Sequence, residues 1–181
     1  MAGRLIWFFG PSTAGKETLI VAIAEGRDHA LRTHLKVGAK VGVCTQSLKT
    51  EHRDKLADAI VERDRQGLTQ LIKGQSADIW DDREPQLHVP GDARLRDCQQ
   101  EVVFVWAPPN ELHRRCVQRA ERARGAGDLE GSGYWSSWTE EGCRYELNLQ
   151  LRWVSALKLP ISWVRNDGNQ VEIGEKPPQA L

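Results

Sequence analysis

The chain has 181 residues and a formal net charge of zero, with 25 Lys and Arg against 25 Asp and Glu, and it is 40% hydrophobic and 28% charged. Those values describe one soluble globular domain and disfavour both disorder and nucleic-acid binding through bulk positive charge. The longest apolar run, Leu5 to Phe9, is far too short to span a bilayer and the N-terminal stretch lacks a signal-peptide pattern, so a cytoplasmic protein without a membrane partner is expected.

The run from Arg4 to Phe9 is bounded by Gly10-Pro11 and suits a strand buried on both faces. Helical periodicity starts near Lys16 and carries Leu19, Ile20, Ala22 and Ile23 as far as Gly26. A second strand is expected over Ala39 to Cys44, then an amphipathic helix over His52 to Gln66, stopped by Gly67. Thr69 to Lys73 reads as the third strand, and Ser76 to Asp97 carries no clean pattern. Glu101 to Trp106 is the clearest strand and leads through Ala107-Pro-Pro109 into a helix from Asn110, as N-cap, to about Arg124. Gly125 to Gly133 reads as a glycine-rich mobile loop, followed by a helix over Thr139 to Leu157 and a fifth strand over Ile161 to Arg165. Strands alternating with helices predict a parallel α/β sheet of five strands in a single domain, residues 1–174, with a flexible tail at 175–181.

The four cysteines, Cys44, Cys98, Cys116 and Cys143, show no metal-site spacing and are expected as reduced, mostly buried thiols. Trp7, Trp106 and Trp163 lie in strand-like runs and read as core. Trp135 and Trp138 lie in the glycine-rich stretch and read either as anchors for that loop or as a stacking surface for a flat ligand.

Chemistry is concentrated in Gly10-Pro-Ser-Thr-Ala-Gly-Lys16-Glu17-Thr18, between a buried strand and a helix. Glycines let the backbone curl so that successive N–H groups face a phosphate, and the following helix aims its positive end at the same place. Gly10, Ser12, Thr13, Ala14, Gly15, Lys16, Glu17 and Thr18 are therefore the expected nucleotide-binding residues, with Lys16 exposed to the ligand and reaching its outer phosphates. A bare strand-to-helix turn does not account for the glycine spacing. Where a hydroxyl usually follows the lysine and helps to hold magnesium, this chain has Glu17, with the hydroxyl one place later at Thr18. Glu17 is thus either a metal ligand or an acid pointing out of the loop, and the second is favoured.

A basic helix follows the fourth strand. Arg115, Arg119 and Arg122 fall at i, i+4 and i+7 and share a face. Taken alone, such a face is usually solvated. Its place after a strand at the carboxyl edge, ahead of a glycine-rich stretch and Arg144, gives it a second reading as a binding element.

This combination resembles the small P-loop kinases, the nucleoside monophosphate kinase-like or AAA-type ATP-binding kinases, over roughly residues 4 to 168. The Gly-Lys-x-Thr string is similar to the Gly-Lys-Gly-Thr of adenylate kinases. The resemblance implies a three-layer P-loop NTPase fold with a small lid at about 120–145, ATP and Mg2+ as cofactors, and Gly10, Gly15, Lys16 and Thr18 as the phosphate cradle. It further implies Arg115 and Arg119 as catalytic lid arginines, with Arg144 a weaker match. Two departures stand out. The third strand ends Lys73-Gly-Gln75, with Asp78 as the first acid able to serve a metal, and the second strand is followed by Thr45-Gln-Ser47 rather than a carboxylate base. An acceptor that is already anionic, such as a nucleotide phosphate, suits that pattern, since positioning and electrostatics then suffice. Arg53, Gln75 and Arg83 are the expected acceptor contacts. The sequence thus predicts an ATP-dependent phosphotransferase acting on a small phosphorylated or nucleotide acceptor. The alternatives are a nucleotide-binding module or slow ATPase without an acceptor, and a polynucleotide 5'-kinase, for which nucleic acid would be a partner.

Overall fold

In the structure, a computed structural model, residues 3–45, 58, 67–74, 93–168, 170–174 and 176–178 are described. Strand β1 (Arg4–Phe9) leads to helix α1 (Lys16–Ala24), a short α2 (His29–His34), β2 (Val41–Cys44) and β3 (Thr69–Lys73). A 3-10 turn, Ala93–Leu95, precedes β4 (Gln99–Trp106). Three helices then follow, α3 (Pro109–Gly125), α4 (Leu129–Ser136) and α5 (Glu140–Ala156), before β5 (Ile161–Asn166) and β6 (Val171–Gly174).

The strands form one sheet in the order β2-β3-β1-β4-β5-β6. The first five are mutually parallel, and β6 runs antiparallel to β5. The expected five-stranded parallel sheet therefore gains a sixth, reversed strand. The Asn166-Asp-Gly168 turn, with Gly168 at φ 90°, sends the chain straight back along β5. A hairpin closes in a few residues, whereas a parallel return needs a long crossover.

Alternation along β1 explains why the run is apolar throughout. Ile6 and Phe8 enter one core with Ile20 and Ile23 of α1 and Leu112 and Cys116 of α3. Leu5, Trp7 and Phe9 enter the other, with Leu147 and Val154 of α5. Helices thus cover both faces, and successive side chains of the central strand are buried in opposite directions.

Helix α3 begins at Pro109, not Asn110, with Pro108 in the capping position. Proline's fixed φ and missing N–H cost nothing in the first turn. The glycine-rich stretch is helical where a loop is expected. Gly127 turns at φ 78°, Asp128 accepts from the Gly131 N–H at 2.8 Å, and α4 runs from there to Ser136. Thr139 then caps α5 by accepting from the Gly142 N–H at 3.0 Å. Helix α2, which has no counterpart in the sequence expectations, is capped by Asp28, whose carboxylate accepts from the Leu31 N–H at 2.9 Å. Among the described residues, no helix is long and apolar enough to cross a membrane.

The chain leaves β1 for the β2 edge, returns to β3 beside β1, and then crosses to β4 on the other side of β1. The carboxyl end of β1 is thereby the point where connections diverge, which in open α/β sheets opens a crevice. The loop Gly10–Gly15 stands there.

Candidate functional site at the carboxyl end of the central strand

The loop is pressed between neighbours. A Cβ on Gly10, at φ 136°, would lie 1.9 Å from the Val105 carbonyl oxygen, and one on Gly15, at φ 91°, 2.4 Å from Asn166 Nδ2. Both glycines therefore have a packing reason independent of any ligand, which spacing alone does not disclose. Thr13 adopts φ 63°, a strained value for a residue with a Cβ. Its hydroxyl donates to the Leu112 carbonyl at 3.1 Å and so ties the loop to α3. The buried Ala14 offers its carbonyl to Asn166 Nδ2 at 2.9 Å. Gly15 caps α1 without any side-chain hydrogen bond, so the positive end of the helix opens on the loop.

Lys16 is only 7% exposed. Its ammonium folds back and donates to the Gly10 carbonyl and, at 2.8 Å, to the Pro11 carbonyl. Burial pulls its pKa from 10.5 down to about 8. The negative charge of Glu146 opposes that shift, and the positive charges of Lys73 and Arg119 add to it. These four side chains belong to one electrostatic cluster.

Glu146, on α5, is the main site residue absent from the sequence expectations. It is 1% exposed. Its carboxylate accepts from the Ser12 N–H at 2.8 Å and from the Ser12 hydroxyl at 3.0 Å. Burial pushes its pKa up, while Lys16 and the Ser12 bonds pull it back. One signal was present in the sequence: Glu146 falls in the apolar stripe of its helix, beside Cys143 and Leu147. A polar residue on a core-facing stripe needs a partner.

Arg115 and Arg119 of α3 have different surroundings. The Arg115 guanidinium donates to Glu111 at 2.8 Å, to the Thr13 carbonyl at 3.1 Å and to the Asn166 carbonyl at 2.6 Å. It thereby joins α3, the loop and the end of β5. Hydrogen bonds from Arg114, and then from Arg115, hold the Glu111 carboxyl below its usual range. Arg119 is exposed and lies over the Trp135 ring, 4.8 Å from its centroid. Arg144 pairs with Glu140 at 3.4 Å on the exposed side of α5.

Trp138 is buried in the core that holds α1 and α3, and Trp135 packs against the same core. That arrangement matches the anchoring alternative for the glycine-rich stretch. All four cysteines are free thiols. Cys116 and Cys143 are buried, and the other two are partly buried.

Glu17 and Thr18 lie exposed in the first turn of α1. Glu17 Oε2 is 3.3 Å from Nζ of Lys73 at the end of β3. Magnesium, which the resemblance implies, requires hard oxygen ligands in near-octahedral order. The Glu17 carboxylate, next to Lys16, is engaged by the Lys73 ammonium, whose charge repels a divalent cation. Glu17 and Lys73, as paired, do not fit that cation. The expected acceptor contacts Arg53, Gln75 and Arg83, and the alternative metal acid Asp78, lie outside the described residues, as does most of the helix expected over 52–66.

No family model matches the chain. None of the curated proteins matches it either. Among solved structures it is similar to the crystal structure of APE1195, at 16% identity over 87% of this chain and 96% of that one, with a TM-score of 0.49.

Proposed function

We propose that this chain is a small P-loop phosphotransferase that takes the terminal phosphoryl group of ATP at Gly10–Thr18 and transfers it to a small anionic acceptor such as a nucleotide phosphate. The observation that carries this reading is the side-chain-uncapped start of α1 at the carboxyl end of the central strand, with Lys16 drawn into the loop before it. A helix N-terminus and a lysine at one point form an anion site. Arg119, exposed and acting on Lys16 through its charge, is the arginine available to neutralise the transferred group.

A second reading, a nucleotide-binding module or slow ATPase, is favoured by Arg115, whose hydrogen bonds go to protein partners. Transfer from radiolabelled ATP, screened across nucleotides, sugars, small alcohols and oligonucleotide ends, separates the readings. Label on a nucleotide supports the kinase, label on an oligonucleotide end supports the polynucleotide kinase, and binding with release of inorganic phosphate alone supports the module. Lys16→Ala is expected to lower transfer by about a hundred-fold or more. Wild-type turnover in that variant overturns the assignment of the loop.

A further inference from the structure

The sheet register places Lys73 opposite Phe8, near the end of the strand that feeds the loop. Its ammonium is 3.3 Å from the Glu17 carboxylate, and its charge is felt at Lys16. Two positions that would ordinarily serve a divalent cation are thus altered together. The residue after Lys16 is a carboxylate instead of a hydroxyl, and the end of β3 carries an ammonium instead of an acid. The two altered residues face each other as an ion pair.

An ammonium at this place repels a divalent cation and attracts phosphate oxygens. Lys73 and Arg119 add two positive charges beside Lys16, against the one buried carboxylate of Glu146. The Glu17 side chain is 60% exposed and that of Lys73 27% exposed. Such a pair contributes little to stability and exchanges partners easily. A phosphate oxygen can therefore take the ammonium from Glu17 at small cost.

We propose that Lys73 is the internal cation of this site, held by Glu17 until a ligand arrives, so that Lys16 and Lys73 bind a polyphosphate chain without a divalent metal. This inference rests on the phosphate-loop reading above and specifies how that loop balances charge. It makes the Glu17–Lys73 pair a latch whose exchange accompanies binding.

Calorimetric titration with ATP and with inorganic tripolyphosphate, in excess EDTA and again with magnesium, tests it. Wild-type affinity for either probe is expected to change by less than about threefold on chelation, well under the tenfold that 1.4 kcal/mol represents. Lys73→Met keeps the aliphatic stem and should lose about tenfold in EDTA, the order of one charge-assisted hydrogen bond. Magnesium should restore part of that loss, because Glu17 is then free to meet it. A Glu17→Ser, Lys73→Asp double variant should bind only with magnesium. Wild-type binding that collapses in EDTA and returns with magnesium overturns the internal cation and leaves the phosphate loop standing. Absence of binding to either probe under both conditions overturns the loop reading and the inference together. The wild-type comparison needs no variant, so misfolding of Lys73→Met cannot obscure the result.

Discussion

The two halves of α3 hold arginines of the same helix face in opposite circumstances. Arg115, in the first half, has a side chain 14% exposed and donates to three groups on three segments. Arg119, one turn on, is exposed and rests on an indole, and Arg122 and Arg124 beyond it are exposed as well. Successive residues four apart diverge by only about 40° around a helix. Direction on the helix is therefore nearly the same, and depth in the fold makes the difference. The first turns of α3 pass beside the loop and the end of β5, and the later turns run past them.

The contrast is sharpest when Arg115 is removed. Arg115→Ala should destabilise the fold by about 3 kcal/mol, because the buried Thr13 and Asn166 carbonyls lose their side-chain donor, while Glu111 keeps Arg114. Thermal unfolding checks this, and a midpoint equal to wild type would overturn the structural role. Arg115→Lys should cost about half as much, since one ammonium cannot span the three acceptors.

Arg119→Ala should leave stability within about 0.5 kcal/mol, as exposed substitutions usually do. It should still lower phosphoryl transfer through lost charge at the crevice. Full transfer in this variant would break the division between a structural and a functional half. The same substitution should raise the Lys16 pKa above about 8, because the Arg119 charge helps to lower it. In the free wild-type protein, phosphate affinity is expected to fall as pH rises through about 8, where Lys16 loses its proton. Stability should move the other way. Between about 8 and the usual 10.5 the unfolded chain holds more protons than the folded one, so the Lys16 contribution to stability rises with pH across that window. A pH series of tripolyphosphate titrations and of unfolding midpoints measures both slopes. The smallest effect belongs to Arg122→Ala, for which neither stability nor transfer should change measurably.

Much of the fold was legible because the strands announce themselves by burial. Thr69–Lys73 is a strand over the very residues expected, and β4 and β5 extend the expected runs by one or two residues. Strand β6 was not legible. Val171 and Ile173 are 38% and 37% exposed, so no buried face marks it, and only the preceding turn hints at a hairpin. The loop itself, between β1 and α1, was readable from Gly10, Gly15 and Lys16, which are close in sequence. Its supports were not. Glu146 and Asn166 reach the loop from 134 and 152 residues away, and the apolar stripe that holds Glu146 marks it for burial without naming Ser12 as its partner. The helix of α4 was hidden by its glycines, whose poor propensity is offset here by the Asp128 cap and by packing of Trp135 and Trp138.

The placement of Arg119 over Trp135 gives the molecule a built-in optical gauge. A cation resting on an indole face perturbs its emission, and a guanidinium drawn toward an incoming anion uncovers that face to solvent. Trp135 fluorescence should therefore shift as the crevice fills, while the deeply packed Trp7 and Trp138 supply a steady background. Trp135→Phe would silence the change without emptying the crevice, and comparing the two proteins turns a steady-state spectrum into a direct count of occupied sites.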